Sequence, residues 1–279
     1  MIDPSYITPL IKIALNEDIG QGDLTSTACV DLNLIGEGKF LCKEDGVLAG
    51  VEVIEYIIDS QLSEVRFQSS KKDGETIFKS EYFAVVEGPL QKILTFERTL
   101  LNFLQRMSGI ATQTKRYVDA VKGTKARILD TRKTIPGWRY LDKLAVEIGG
   151  GENHRLGLFD MFLIKDNHII AAKGITNAVK LCKQYREKKN LKYKIEVEVK
   201  NLIELNEALA LNIDRIMLDN FELGDLKKAV EITAGRCKLE VSGGVKLDSI
   251  RAIAETGVDY ISIGALTHSV KALDISLEL

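Results

Sequence analysis

Between Leu129 and His168 the chain gathers Arg132, Lys133, Arg139, Lys143, His154, Arg155, Lys165 and His168, including two of its three histidines. These cations stand beside glycines and at the ends of short apolar runs, a placement that suits a pocket for a multiply charged anion better than a solvated face. Arginine grips carboxylates and phosphates through a planar two-point fork, and lysine adds a compact charge, so the mixture fits a ligand carrying both groups. Arg98, in Glu97-Arg98-Thr99 on a helical stretch, is a further cation whose plainer reading is a helix-face ion pair.

Ser242-Gly243-Gly244 follows an apolar run and precedes a helical pattern. Its backbone N–H groups are therefore expected to cradle a phosphate at a helix N-terminus, and Gly264 repeats the arrangement one strand later. The triple glycine Gly149-Gly150-Gly151 either stops a helix or lets the backbone approach a ligand beside His154 and Arg155. Glu196 and Glu198 alternate onto one face of a strand, and with Asp219 they offer oxygen donors for Mg²⁺ or acceptors for ribose hydroxyls. Ion pairing with Lys133 and Lys165 is the alternative. Lys165, at a strand end, also has the position of a Schiff-base lysine. No Ser, His and Asp arrangement recommends a hydrolytic triad.

The elements that must position these residues fall into two patterns. Asp3 as N-cap, Pro4, and apolar Tyr6, Ile7, Leu10, Ile11 and Ala14 predict an amphipathic helix ending near Gly20. From Gly36 to Glu87, short apolar runs alternate with glycine turns around one helical stretch, Val51 to Leu62, which reads as a small α/β domain on a mainly antiparallel sheet. A long helix from Leu90 bridges onward. Beyond Gly123, short apolar strands alternate with helical stretches, the signature of βα units and a parallel sheet. Six strands are legible, at Ala126 to Leu129, Met161 to Ile164, Ile195 to Val199, Arg215 to Leu218, Lys238 to Val241 and Tyr260 to Ile263. Each delivers a polar residue or glycine at its C-terminal end, where α/β barrels place their chemistry.

Composition narrows the partners. The 38 Lys+Arg and 40 Asp+Glu leave a net charge of −2, so no global field draws the chain to nucleic acid or an anionic membrane, and any anion must meet locally clustered cations. The cationic run Lys183 to Lys194 is read as a solvated helix end. The four cysteines are scattered without metal-ligand or disulfide spacing, which suits a reducing cytoplasm. No export signal or membrane-spanning run is expected.

The blocks EDIGQGDLTS, ERTLLNFLQRMSGIAT, DTRKTIPGWR, GGGENHRLGLFDMFLIKDNHI, EVEVKN, IMLDN, VSGGV and ISIGALTHS, in this order, resemble the quinolinate phosphoribosyltransferase family over nearly the whole chain. The resemblance implies an α/β fold with two domains. One is an N-terminal α/β sandwich-like domain with its bridging helix, residues 1–109. The other is an open, atypical α/β barrel of about six to seven strands, residues 110–279, with room for the C-terminal tail to pack back on the first domain. It also implies a homodimer or higher homo-oligomer.

By the same resemblance, quinolinate and phosphoribosyl pyrophosphate, with Mg²⁺, give nicotinate mononucleotide, pyrophosphate and CO₂. Arg132, His154, Arg155 and Lys165 would bind the pyridine dicarboxylate alongside Thr131, with Arg98 reaching in from the neighbouring subunit. Lys133, Glu198, Asp219, Ser242, Gly243, Gly244 and Gly264 would hold the phosphoribosyl group and its phosphates, with Glu198 and Asp219 sharing the metal. Catalysis would fall to Lys133, Lys165, Glu198 and Asp219. Three other readings compete: a related phosphoribosyltransferase-fold protein of a molybdate operon, a barrel lyase forming an imine on Lys165, and a non-catalytic anion-binding protein.

Overall fold

A computed structural model describes residues 2–279. The chain folds as two compact units, 2–115 with 134–150 and 265–279, and 116–133 with 151–264.

In the first unit Asp3 caps helix α1 (Pro4–Asp18), its carboxylate accepting the Ser5 N–H, a cap worth about 1 kcal/mol. Ile7 and Ile11, four residues apart, are buried beneath it. Helices α2 (Leu24–Cys29) and α3 (Val51–Gln61) accompany strands β1 (Ile35–Cys42), β2 (Gly46–Val47), β3 (Arg66–Ser69), β4 (Thr76–Ile77) and β5 (Tyr82–Pro89). β1 alternates exposed and buried residues over its second half, as expected of an antiparallel strand with one covered face. The four-stranded sheet runs β12-β1-β5-β3, where β12 (Ile275–Glu278) is the C-terminal tail, paired antiparallel with β1 from Cys42↔Ile275 to Lys39↔Glu278.

The 31-residue helix α4 (Leu90–Ala120) extends well past the stretch whose periodicity is legible, and contributes to the first unit as far as Lys115. Helix α5 (Arg139–Ile148) belongs to that unit too, although the sequence suggests a continuous second domain from residue 110. The reason is side-chain chemistry. Arg106 of α4 holds the fully buried Asp142 of α5 by two bonds of 2.9 Å, and Phe103 stacks on Trp138 with ring centroids 4.9 Å apart.

The second unit is built on six strands: β6 (Arg127–Leu129), β7 (Phe162–Ile164), β8 (Ile195–Val199), β9 (Arg215–Asp219), β10 (Lys238–Ser242) and β11 (Tyr260–Ser262). All pair in parallel, in the order β6-β11-β10-β9-β8-β7, and among the described residues the two end strands β6 and β7 do not pair with each other. The sheet is thus open with six strands, within the sequence expectation. Helices α6 (Asp166–Ala172), α7 (Ile175–Lys188), α8 (Leu202–Leu209), α9 (Leu223–Thr233) and α10 (Ile250–Glu255) connect the strands, and the four-residue α11 (Ala265–His268) follows in the first unit. Four of the five residues of β8 are buried, the mark of a parallel strand covered on both faces. Among the described residues no helix is long and apolar enough to cross a membrane.

Candidate active site

Every proposed site residue except Arg98 lies in the second unit, at or just beyond the C-terminal end of a strand or in the loops that follow. Thr131, Arg132 and Lys133 follow β6, with Lys133 N–H donating to Thr131 Oγ1 at 3.1 Å. Lys165 directly follows β7, Glu198 is the fourth residue of β8, and Asp219 and Ser242 close β9 and β10. Gly264 stands two residues past β11. Arg98 is an exposed residue of α4 in the first unit, and Arg139 and the buried Lys143 belong to that unit as well.

His154 and Arg155 reach the same edge without a strand of their own. Residue Glu152 bridges in parallel to Leu129, its N–H donating to Ile128 O at 2.8 Å, so the chain runs beside β6. His154 N–H then donates to Asp130 Oδ1 at 2.8 Å. Arg155 is buried, its Nη1 donating to Met161 O at 3.2 Å. Burial pulls its guanidinium below the usual range, and the neighbouring charge of Arg132 pulls further. Arg132 Nε is itself buried and meets no hydrogen-bond acceptor. Two guanidiniums that repel each other, one with an unanswered donor, form a socket that a dianion would complete.

A second group of charges lies at the C-terminal ends of β7, β8 and β9. Lys165 Nζ lies 3.7 Å from Glu198 Oε2. Burial raises the Glu198 carboxyl above the ordinary range; Lys165 opposes the shift, while Asp219 and Asp166 reinforce it. Glu198 and the nearby Asp219 and Asp166 supply hard carboxylate oxygens, the donor type that suits Mg²⁺ with substrate phosphates. Asp166, held by Lys200 at 3.1 Å, directly follows Lys165 but has no role in the reading of the sequence.

The glycine motifs resolve differently from their reading in the sequence. Gly243 and Gly244 both take positive φ, +100° and +61°, and a Cβ on Gly243 would run into the Asn220 side chain. The loop therefore requires glycine, but it does not open a helix: α10 begins only at Ile250. Any phosphate there would meet a tight loop and not a helix terminus. Gly149 serves packing, since a Cβ would come within 2.5 Å of Ala111 O and 2.7 Å of Thr114 Cβ on α4, and Gly150 turns the chain with φ +88°.

Sequence reasoning singled out Glu196 as an oxygen donor but missed the two charges it joins under the site, Glu240 and Arg215. Glu196, Glu240 and Arg215 lie inside β8, β10 and β9, with Arg215 Nη1 2.7 Å from Glu240 Oε2. His154 Nε2 lies 3.1 Å from Glu196 Oε2 and 3.5 Å from Glu240 Oε2. Burial pushes Glu196 up to about 7 against the pull of Arg215. Glu240 is likewise pushed up to about 7, by burial first and then by the charge of Glu196. Arg215 stays charged: desolvation works against it, but Glu196 and Glu240 outweigh the loss, and its guanidinium lies 4.2 Å over the Tyr260 ring. The available signal was Glu240 between apolar Leu239 and Val241, and Arg215 directly before the apolar run Ile216 to Leu218.

Comparison with known proteins gives the family. The profile described as quinolinate phosphoribosyl transferase, C-terminal domain, matches residues 110–278, and its N-terminal counterpart matches residues 23–108. The chain is 48% identical over 293 aligned residues to an Arabidopsis thaliana chloroplastic nicotinate-nucleotide pyrophosphorylase [carboxylating], covering 99% of the chain and 84% of that protein. It is 43% identical to a probable nicotinate-nucleotide pyrophosphorylase [carboxylating] of Bacillus subtilis, covering 94% and 90%. The solved nicotinate-nucleotide pyrophosphorylase of Francisella tularensis superposes with a TM-score of 0.92 at 41% identity, covering 100% of this chain and 97% of that one. With both domain profiles matched in order and relatives aligned nearly end to end, the chain belongs to the quinolinate phosphoribosyltransferase family.

Proposed function

We propose that this chain transfers the phosphoribosyl group of phosphoribosyl pyrophosphate to the ring nitrogen of quinolinate, giving nicotinate mononucleotide, pyrophosphate and CO₂ in NAD biosynthesis. The observation that carries the reading is the pair Arg132 and Arg155, mutually repelling at the end of β6, one of them with an unanswered buried donor. A flat dicarboxylate answers both.

Breaking the bond between ribose C1 and pyrophosphate builds positive charge on the sugar and negative charge on the leaving group, so a catalyst stabilises both ends. Glu198 and Asp219 face the sugar and would hold Mg²⁺, which neutralises pyrophosphate charge when bound. Lys133 supplies a further cation for the phosphates, and the loops at Ser242-Gly243-Gly244 and Gly264 offer backbone donors. Arg132, Arg155 and Lys165 hold the two carboxylates with the ring nitrogen in line with C1; such positioning supplies up to about 7 to 11 kcal/mol of the barrier. The nitrogen lone pair forms the new bond to C1 as pyrophosphate leaves. With the nitrogen quaternised, the adjacent carboxylate departs as CO₂, its electron pair stays on the neighbouring ring carbon, and a proton replaces it. No covalent enzyme intermediate is needed.

Arg98 is assigned to the site of a second copy in a homodimer or larger homo-oligomer, and the cytoplasm is the assigned compartment, a reading supported by four free cysteines. The test is release of labelled CO₂ from carboxyl-labelled quinolinate. Release is expected only with both substrates and Mg²⁺ present, and its absence under those conditions defeats the proposal. Reductive trapping of a sugar phosphate on Lys165 would favour the lyase instead.

A further inference from the structure

We infer that His154 acts as a positioning residue and not as a ligand to the substrate, its ring locked as the Nε2–H tautomer by Glu196 and Glu240 so that Nδ1 orders the backbone carrying Arg155. The inference deepens the proposed function and rests on it where dicarboxylate binding is concerned.

Donor logic decides the tautomer. The Arg155 backbone N–H, which can only donate, points at His154 Nδ1 from 2.8 Å, so Nδ1 carries no proton. The remaining ring proton sits on Nε2, facing carboxylate oxygens at 3.1 and 3.5 Å. The ring therefore spends both nitrogens inside the protein, and its side chain is only 5% exposed. A cationic or Nδ1-protonated imidazole turned toward a ligand would break the contact with Arg155 and strand a buried backbone donor.

The bonds form a continuous line across the sheet. Arg215 on β9 anchors Glu240 on β10, Glu240 and the adjacent Glu196 on β8 face the His154 ring, and Asp130 after β6 takes the His154 backbone N–H. Four strands thereby fix a short loop whose next residue is Arg155. Glu240 and Arg215, with no direct role assigned in the chemistry, become remote determinants of how that guanidinium is presented.

The ligand atoms of His154, Glu196 and Glu240 lie within 4.8 Å of one another, a grouping able to hold a metal ion. The Arg215 guanidinium, already 2.7 Å from Glu240 Oε2, opposes a dication there.

The test begins with ¹⁵N-histidine NMR of the wild-type enzyme, in which there are only three histidines to assign. Nδ1 of His154 is expected to stay unprotonated with and without saturating quinolinate. Calorimetric titration with quinolinate then compares three variants. His154→Asn keeps an acceptor near the Nδ1 position and is expected to bind within about threefold of wild type, whereas His154→Ala and Glu240→Gln lose about tenfold, the worth of one hydrogen bond. Steady-state kinetics should place the Glu240→Gln loss in KM for quinolinate, with kcat and KM for phosphoribosyl pyrophosphate nearly unchanged. Binding of phosphoribosyl pyrophosphate verifies folding; should Glu240→Gln fail that check, Glu240→Gln/Arg215→Met, which removes both charges, is read in its place with the same expectation.

A proton on Nδ1 in the quinolinate complex overturns the inference. So does wild-type quinolinate affinity in the folded Glu240 variant, or a stoichiometric metal in the purified enzyme that this variant loses. If the wild-type enzyme binds no quinolinate at all, the proposed function falls, while the tautomer measured without ligand still decides the role of the ring.

Discussion

The Lys165 ammonium stands 3.7 Å from Oε2 of Glu198, joining the end of β7 to β8 where the expected carboxylate and sugar ends of the two substrates would meet. The pair is half open: the lysine side chain is 48% exposed and the glutamate 10%. Such a contact contributes little to stability, so either partner is available to exchange it for a substrate or a cation.

That exchange separates the two residues experimentally. Glu198→Gln should raise the Mg²⁺ concentration needed for half-maximal rate by about tenfold, the cost of one anionic oxygen donor, with a smaller change in KM for quinolinate. Lys165→Ala should do the reverse. Metal titrations of the two variants check this, and identical profiles would count against the division.

Arg132→Ala and Arg155→Ala should each weaken quinolinate binding by about 2 to 3 kcal/mol, the value of a charge-assisted bond to a carboxylate. Phosphoribosyl pyrophosphate affinity should move far less. Calorimetry with each substrate alone reads the difference directly; equal losses for both would contradict the assignment of the arginines to the dicarboxylate.

Arg98 belongs to the unit that holds none of the other proposed site residues. Mixing inactive Arg98→Ala and inactive Lys133→Ala subunits should restore up to about a quarter of the wild-type activity per subunit if each site draws Arg98 from its neighbour, the yield of random reassociation into dimers. No recovery after verified subunit exchange would remove Arg98 from the shared site.

Glu240 makes stability depend on pH in an unusual direction. Burial lifts its carboxyl from 4.5 to about 7, so the folded protein keeps a proton that the unfolded chain has released. The stabilisation is complete below about pH 4.5 and is lost as the pH rises through about 7, a span worth about 3 kcal/mol. Glu240→Gln, which cannot ionise, should flatten this limb. The difference between wild-type and variant melting temperatures across pH 5 to 8 should therefore change steadily in the variant's favour, and a constant difference would refute the assignment.

Arg106 and Asp142 test the first unit. Their two 2.9 Å bonds keep a fully buried carboxylate satisfied, and Arg106 also lies 5.4 Å from the centre of the Trp138 ring. Arg106→Met strands that charge and should cost about 3 kcal/mol in urea unfolding. Arg106→Met/Asp142→Leu, which removes both charges, should recover most of the loss.

What the residues announced on their own were features set by local periodicity and local chemistry. Asp3 and Pro4 mark a helix start whatever lies elsewhere in the chain, and apolar runs ending in Lys165, Asp219 and Ser242 mark strands with polar C-terminal ends. The ordered blocks carried the family resemblance for the same reason, each being contiguous. Tertiary structure decided which distant residues become neighbours. Parallel register set Glu196 opposite Arg215 and brought Glu240 alongside, and only that register turns three isolated strand charges into one buried cluster against His154. Likewise the Arg106–Asp142 pair drew residues 134–150 into the first unit, dividing a cationic stretch that is continuous along the chain. Desolvation and pairing act through space, and no spacing along one strand encodes the partner that burial will supply.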